Sequence, residues 1–182
     1  MHKVLVFLNE LSDRDVDWLI ESGEKRAISS GTVLINEGKP VDTLYIMLDG
    51  TLVVSIAAMG VRELARLYSG EVVGEMSFVD ARPPSATVKT MEDSLVLAVP
   101  RQLLAQKLHD DESFGCRFYK ALAILLSYRL RGTVKQLGYS PDNQANVAKT
   151  NGQTVRVISE NNDVAIAESR FEKLLQRLDV VR

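Results

Sequence analysis

The sequence predicts a mainly β protein with flanking helices. Between Ala27 and Pro100, short runs of β-branched and aromatic residues alternate with turn signals, and amphipathic helical patterns stand on both sides of this region. Glycines mark the turns, at positions 31, 38, 50, 60 and 70. Strands that are this short and evenly spaced indicate an all-β roll or barrel. The runs are TVLI, TLYIMLDG, TLVVSIAA, VRELARLY, SATVKTM and SLVLAV.

A helix is predicted before the roll, in the segment LSDRDVDWLIESG. Ser12 is a candidate N-cap, since its hydroxyl can accept a free backbone N–H, and Gly23 is a candidate stop. The apolar residues recur at helical spacing: Leu11, Val16, Leu19 and Ile20.

Two helices are predicted after the roll, a short one over Arg101–Leu108 and a long one over Ser113–Leu137, which Gly138 and Pro141 end. The long helix carries two apolar stripes, although a helix packed on one body needs one. The first contains Phe114, Phe118, Ala121 and Leu125. The second contains Tyr119, Leu122, Leu126, Leu130, Thr133 and Leu137. Spacings of three and four residues are typical of a coiled-coil seam, so the second stripe predicts a homodimer; the alternative is that the C-terminal tail covers it.

Composition favours one domain with an appendage. The chain has 182 residues, of which 46% are hydrophobic, and we predict a domain over residues 1–138 and a linker with a helical tail over 139–182. A net charge of −2 does not favour a polyanionic partner. Cys116 is predicted to be a core residue, and a single cysteine suits a reducing cytoplasm. The N-terminal VLVFL is too short for a signal or a membrane span.

Catalytic and metal chemistry find little support in the sequence. A metal site inside a β-roll needs two or three converging histidines, whereas His2 and His109 both lie outside the strand region. Neither histidine is spaced to activate a serine or Cys116, and no GxSxG motif occurs. We therefore predict a protein that is not an enzyme and holds no metal.

The tail does not resemble a DNA-binding domain that reads sequence. It begins with the polar linker YSPDNQANVAKTNGQ, continues with a β-type run, TVRVIS, and ends in an amphipathic helix from Asp163 to about Leu178. A DNA reader needs two close helices and a positive face, whereas the tail has six basic and six acidic residues: Lys149, Arg156, Arg170, Lys173, Arg177 and Arg182 against Asp142, Glu160, Asp163, Glu168, Glu172 and Asp179. The tail helix is either an output element for a protein partner or a strut folded back on the roll or across the dimer.

The segment GEMSFVDARPPSATV, residues 74–88, carries the clearest functional signal. A helix start offers unpaired N–H groups and partial positive charge to a phosphate, and Gly74 lets the backbone approach it. A carboxylate such as Glu75 would repel the phosphate, so its natural partner is a hydroxyl pair such as that of a ribose. The alternative is that Glu75 only complements the helix dipole.

This segment resembles the phosphate-binding cassette of cyclic nucleotide-binding domains. The matching residues are Gly74, Glu75, Pro83, Ser85, Ala86, Thr87 and Val88. The resemblance covers residues 10–138 and implies a double-stranded β-helix (jelly-roll-like) with a long C-terminal dimerisation helix. It is closest in kind to bacterial cAMP receptor or activator sensor domains, without their helix-turn-helix. The ligand-binding residues that it implies are Gly74, Glu75, Met76, Ser77, Arg82, Pro84, Ser85, Ala86 and Thr87, with cAMP or another cyclic nucleotide as ligand and no required cofactor.

Pro84 stands where that family places its phosphate-binding arginine. Loss of a bidentate charged partner typically costs about 1.5–3 kcal/mol of binding free energy. Arg82 is one substitute, although the two prolines that follow it favour polyproline II, in which Arg82 and residue 84 do not share a face. Ser85 is the other candidate, as the resemblance places a serine against the phosphate.

Two functions follow from this segment. The first is a non-enzymatic regulatory module that senses a cyclic nucleotide, or a related anion, and signals through a protein partner. The second is a degenerate domain that serves as a dimeric interaction scaffold without a nucleotide. Loss of the arginine favours the scaffold, while retention of Gly74, Glu75, Ser85 and Thr87 favours binding.

Overall fold

A computed structural model describes residues 6–57, 62–80, 82–136 and 160–180. Two four-stranded antiparallel sheets form a β-roll, with strand orders β1-β8-β3-β6 and β2-β7-β4-β5. This confirms the predicted mainly β fold with flanking helices. The strands are β1 Glu24–Ile28, β2 Val33–Ile35, β3 Thr43–Asp49, β4 Thr51–Ile56, β5 Arg62–Tyr68, β6 Val72–Val73, β7 Thr87–Thr90 and β8 Ser94–Pro100. The helices are α1 Val6–Glu10, α2 Asp13–Ser22, α3 Arg101–Asp110, α4 Glu112–Gln136 and α5 Glu160–Arg177.

The central strands of the first sheet, β3 and β8, are buried on both faces, because their alternate residues belong to two different core clusters. Ile46 and Leu97 face the helices, in a cluster that includes Phe114 and Phe118 of α4. Met47 and Val96 face the inside of the roll, where they meet the second sheet. Strands covered on both sides read as nearly continuous apolar runs, as TLYIMLDG and SLVLAV do.

The predicted strands are present, and two further strands were missed. β1 is largely exposed and begins with charged residues, so its sequence, EKRAI, gives no alternating pattern. β6 has two residues, too few for any pattern. The Asp49-Gly50 pair is typical of a hairpin, but here it joins β3 to β4, which lie in different sheets, so the turn is a connection between sheets and not a hairpin. Gly50 has φ +104°, and a Cβ there would lie 2.4 Å from the Ser94 Oγ, so that turn needs glycine. Gly60 lies outside the described residues.

α2 begins at the predicted cap. The Ser12 hydroxyl accepts from the Asp15 backbone N–H at 3.3 Å, and the Asp15 carboxylate accepts from the Ser12 N–H at 2.7 Å. This reciprocal pair is a capping box. The Gly23 N–H donates to the Leu19 carbonyl at the other end of the helix, as the predicted stop requires.

α4 buries one face and exposes another. Its first predicted stripe lies in the core, as expected. Leu122, which we placed in the dimerisation stripe, is also buried, because its position beside Ala121 and Leu125 turns it toward α1 and the first sheet. Cys116, predicted to lie in the core, is exposed, because it lies on the opposite side of α4 from the buried face. The residues left facing outward at spacings of four and three form the α4 outer stripe: Tyr119, Ala123, Leu126, Leu130 and Thr133. Leu137 lies outside the described residues.

The tail helix α5 packs against α1 and α2. Phe171, Leu174 and Leu175 join the same core cluster as the helices and the first sheet. Arg170 donates to the Leu8 and Asn9 carbonyls at 3.2 and 2.8 Å. The apolar face of the tail helix is therefore covered within the chain, as the strut interpretation requires. The predicted linker and the run TVRVIS lie outside the described residues.

None of the described helices is long and apolar enough to cross a bilayer.

Candidate functional site

The cassette begins at a backbone position that requires glycine. Gly74 has φ +87°, in the left-handed region, and joins β6 to a short 3₁₀ helix over Glu75–Phe78. A Cβ at this position would lie 2.5 Å from the Thr43 carbonyl oxygen. The tight turn brings residue 75 under the edge of the first sheet, which explains why a Gly-Glu pair occurs here.

Glu75 is buried and already has a charged partner. Its carboxylate accepts a hydrogen bond from Arg129 Nη1 of α4 at 2.5 Å. The other terminal nitrogen of the same guanidinium donates to the Val72 carbonyl at 2.5 Å. One arginine thus joins the long helix to both β6 and the 3₁₀ helix. Glu75 is also the first residue of the 3₁₀ helix, so its position fits the helix-dipole interpretation as well as the ribose interpretation.

A second carboxylate lies beside this pair. Glu71 Oε2 is 3.6 Å from Arg129 Nη2. Burial raises the pKa of the Glu71 carboxyl above its ordinary value, and the nearby Glu75 adds to the rise, whereas Arg129 opposes it. Two carboxylates therefore share one guanidinium, which leaves the cluster of Glu71, Glu75 and Arg129 one negative charge in excess when all are ionised.

Arg129 is not fully satisfied in this cluster. Its Nε is buried and has no hydrogen-bond partner among the residues that the structure describes. Buried polar groups nearly always have partners, and an exception calls for an explanation.

Several predicted cassette residues hold the loop in place. Ser77 Oγ donates to the Gly74 carbonyl at 2.8 Å. The Pro84 carbonyl accepts from the Gly38 N–H at 2.8 Å. Thr87 Oγ1 accepts from the Glu37 N–H at 3.2 Å. The last two bonds tie the cassette to the segment between β2 and β3, so contacts within the chain hold the loop in place.

Arg82 and Ser85, the two candidates to replace the missing arginine, take no part in these hydrogen bonds. The Arg82 side chain is 86% exposed and lies 3.8 Å from the Asp80 carboxylate. Ser85 and Met76 are exposed, and Ala86 is half-buried. The structure thus brings Glu75 together with an arginine from α4 and leaves Arg82 at the surface.

α4 is anchored at its start to the N-terminal helices. Arg117 donates two hydrogen bonds to the Asp15 carboxylate, at 2.6 and 2.9 Å. Lys120 Nζ lies 2.7 Å from the Glu10 carboxylate, and the Phe7 and Phe118 rings meet edge to face at 5.6 Å. A shift of α4 at Arg129 would therefore be resisted at its first turns.

Glu71 and Arg129 were missed from sequence. Arg129 lies four residues after Leu125 and seven after Leu122, on the core-facing side of α4. A charged residue in that position needs a buried partner, and this was the available signal. Glu71 gave no comparable signal, because it follows Gly70 at a turn where acids are common.

Comparison with known proteins identifies the family of the roll. The family model described as cyclic nucleotide-binding domain matches residues 25–111. The crystal structure of a cyclic nucleotide-binding domain from Methylobacillus flagellatus is similar to this chain, with 25% sequence identity and a TM-score of 0.66. The match covers 84% of this chain and 85% of that one.

Curated relatives are much longer than the matched region. A cAMP-dependent protein kinase regulatory subunit of Mucor circinelloides is 29% identical over 115 residues, which make up 63% of this chain and 26% of that protein. An uncharacterised NTE family protein of Mycobacterium bovis is 25% identical over 119 residues, 65% of this chain and 20% of that protein. This chain thus spans about a quarter or less of these relatives.

The family match, the solved structure and the Gly74–Glu75 turn agree. Residues 25–111 of this chain are a cyclic nucleotide-binding domain.

Proposed function

We propose that this protein is a non-enzymatic regulatory module that binds a cyclic nucleotide at the cassette and passes the binding event to α4. The signal would then reach a protein partner through the α4 outer stripe. The Mucor relative is named for dependence on cAMP, which supports cAMP as the first ligand to test.

One observation carries this proposal: the buried Glu75 carboxylate is hydrogen-bonded to Arg129 of α4. The residue that would bind ribose hydroxyls now binds Arg129 at 2.5 Å. A ligand at Glu75 must therefore displace or reorient the Arg129 side chain. Because Arg129 belongs to the long helix, occupancy of the cassette changes the forces on α4, and binding favours whichever position of α4 suits the ligand.

The competing function is a scaffold that binds no nucleotide, and one observation favours it. Glu75 already has an ionic partner, and residue 84 offers a carbonyl to Gly38 in place of a guanidinium to a phosphate. In that case the Arg129–Glu75 bond would serve only to fix α4 on the roll.

Calorimetric titration of the full chain with cAMP, cGMP and cyclic dinucleotides separates the two functions. The regulatory module predicts saturable binding of at least one of these ligands, with a stoichiometry of one per chain. The scaffold predicts no binding heat with any of them at millimolar ligand.

We also propose a cytoplasmic homodimer through the α4 outer stripe. Within this stripe Leu130 is 65% exposed, and Tyr119 is also exposed. The stripe has the spacing of a coiled-coil seam, and an exposed apolar row is rare on monomers. Leu126→Glu with Leu130→Glu should convert a dimer to a monomer in sedimentation, whereas Arg131→Glu, off the stripe, should not. A parent protein that sediments as a monomer would contradict the dimer.

Cys116 offers a direct test of a parallel arrangement. It lies three residues before Tyr119, in register with the α4 outer stripe, and it is exposed. In a parallel seam equivalent residues face each other, within the Cα separation of about 4.4–6.8 Å that a disulfide needs. Copper-phenanthroline oxidation should therefore crosslink two chains, and Cys116→Ser should abolish the product. If the protein sediments as a dimer but gives no crosslink, the dimer has a different interface.

A further inference from the structure

The cassette has no positive charge at Pro84 to bind the phosphate of a ligand. We propose that Arg129 supplies this charge. This inference rests on the proposed function and assigns a specificity-determining residue to it. In the structure the Arg129 guanidinium binds Glu75, and in the proposed complex it would bind the phosphate while Glu75 binds ribose hydroxyls.

The first argument is the charge that the cassette needs. Proline at residue 84 has no side-chain donor, and its carbonyl already accepts from Gly38. The Arg82 guanidinium is exposed beside Asp80. Arg129, by contrast, reaches the carboxylate at the start of the cassette itself. An anion bound next to Glu75 would meet strong repulsion unless this guanidinium faced it.

The second argument is the unused donor of Arg129. A guanidinium carries five N–H donors in a fixed plane. Its terminal nitrogens bond to Glu75 and to the Val72 carbonyl, while Nε is buried without a partner among the described residues. Phosphate oxygens accept pairs of N–H bonds from a guanidinium, so a bound phosphate could satisfy Nε together with a neighbouring nitrogen.

The third argument is the imbalance around this arginine. Glu71 and Glu75 both lie within 4 Å of the Arg129 guanidinium, and neither has a second cation within that distance among the described residues. When a ligand brings hydroxyl donors to Glu75, that carboxylate gains new partners and Arg129 loses part of its hold. After this exchange Glu75 is held by neutral hydroxyl donors, and the guanidinium charge is free to face the phosphate.

The test compares a ligand that has a phosphate with one that lacks it. Binding of cAMP and of adenosine is measured by calorimetry for the parent protein, Arg129→Gln and Arg129→Lys. Arg129→Gln should weaken cAMP binding at least tenfold and leave adenosine binding within about twofold. Arg129→Lys, which keeps the charge and loses the planar fork, should weaken cAMP binding less.

Arg117→Gln is the matched control. It also removes an α4 arginine from a buried carboxylate, Asp15, but far from the cassette. It should lower stability without changing the ratio of cAMP to adenosine affinity. Circular dichroism establishes that each variant is folded before it is titrated.

A rescue experiment tests the assignment with cAMP alone. Pro84→Arg should restore cAMP binding to the Arg129→Gln or Arg129→Lys protein, because it returns a guanidinium to the cassette. The inference is overturned if Arg129→Gln leaves cAMP affinity unchanged, if it weakens cAMP and adenosine equally, or if Pro84→Arg gives no recovery. Failure of the parent protein to bind any cyclic nucleotide is a separate result that would overturn the proposed function itself.

Discussion

Two arginines of α4 bind buried carboxylates, and they do so in different ways. Arg117, near the start of the helix, holds Asp15 through two hydrogen bonds. Arg129, about three turns further on, holds Glu75 through one and shares a second carboxylate, Glu71. The Asp15 site is complete, since the same carboxylate also closes the capping box with Ser12. The Glu75 site leaves Arg129 Nε unpaired among the described residues.

The pKa shifts of the two sites point in opposite directions. Burial by itself would raise the pKa of Asp15, but hydrogen bonds from Arg117 and Ser12 outweigh it and hold the pKa below its ordinary value. At the other site burial raises the pKa of Glu71, and a single shared arginine does not compensate. The first site is built to hold α2 on α4, and the second retains the incomplete bonding that a ligand could complete.

The largest effect is expected at the Asp15 site. Asp15→Ala removes the Arg117 ion pair and half of the capping box, so it should lower the free energy of unfolding by about 3 kcal/mol. Urea denaturation measures the change.

Asp13→Ala is the control for that variant. Asp13 lies on the same helix and pairs with Arg170, but its side chain is mostly exposed, and exposed pairs contribute about 0–1 kcal/mol. Equal losses for the two variants would show that the Asp15 site has no special role.

A smaller effect on stability and a clear effect on binding are expected at Glu75. Glu75→Gln keeps an oxygen that accepts from Arg129 but removes the charge, so the protein should remain folded. Affinity for cAMP should fall at least tenfold, because a charged acceptor for the ribose hydroxyls is lost. Glu71→Gln should leave this affinity unchanged or raise it. Equal cAMP affinity in Glu75→Gln and the parent protein would remove the ribose role.

The smallest effect concerns pH. Because the folded pKa of Glu71 is raised, its contribution to stability is present in full below its ordinary value of 4.5 and is lost as pH rises through the folded pKa. Asp15 has the opposite sign: its contribution is present above its ordinary value of 3.8 and is lost as pH falls through the folded pKa. Glu71→Gln should therefore gain stability relative to the parent as pH rises from 4 to about 7.

Asp15→Asn tests the other sign of that prediction. Its deficit in stability relative to the parent should shrink as pH falls below about 4, since the parent then loses the same charge. Urea titrations at a series of pH values measure both trends. A Glu71→Gln difference that stayed constant with pH would contradict the raised pKa.

The sequence predicts the roll well, because its strands and turns are encoded locally. Gly50 and Gly74 mark turns that other residues could not form without strain, and Ser12 marks a helix start. The cassette was found for the same reason, as a contiguous segment with its own turn chemistry.

The partner of Glu75 was not predicted, because it comes from a distant part of the chain. Arg129 is brought to Glu75 only by the packing of α4 on the first sheet. The same packing places Leu122 in the core and leaves Cys116 outside, against both expectations. The assignment of helix faces depended on the direction of α4 relative to the roll, which the apolar spacing alone does not fix.

Hydrogen exchange of the full chain, with and without saturating cAMP, tests most directly the claim that cassette occupancy acts on α4 through Arg129. We predict altered protection of the α4 amides around Arg129, with little change in α2 around Asp15, where the Arg117 bonds remain. The Arg129→Gln protein should lose the α4 response. Binding of cAMP that leaves α4 protection unchanged in the parent protein would contradict the account.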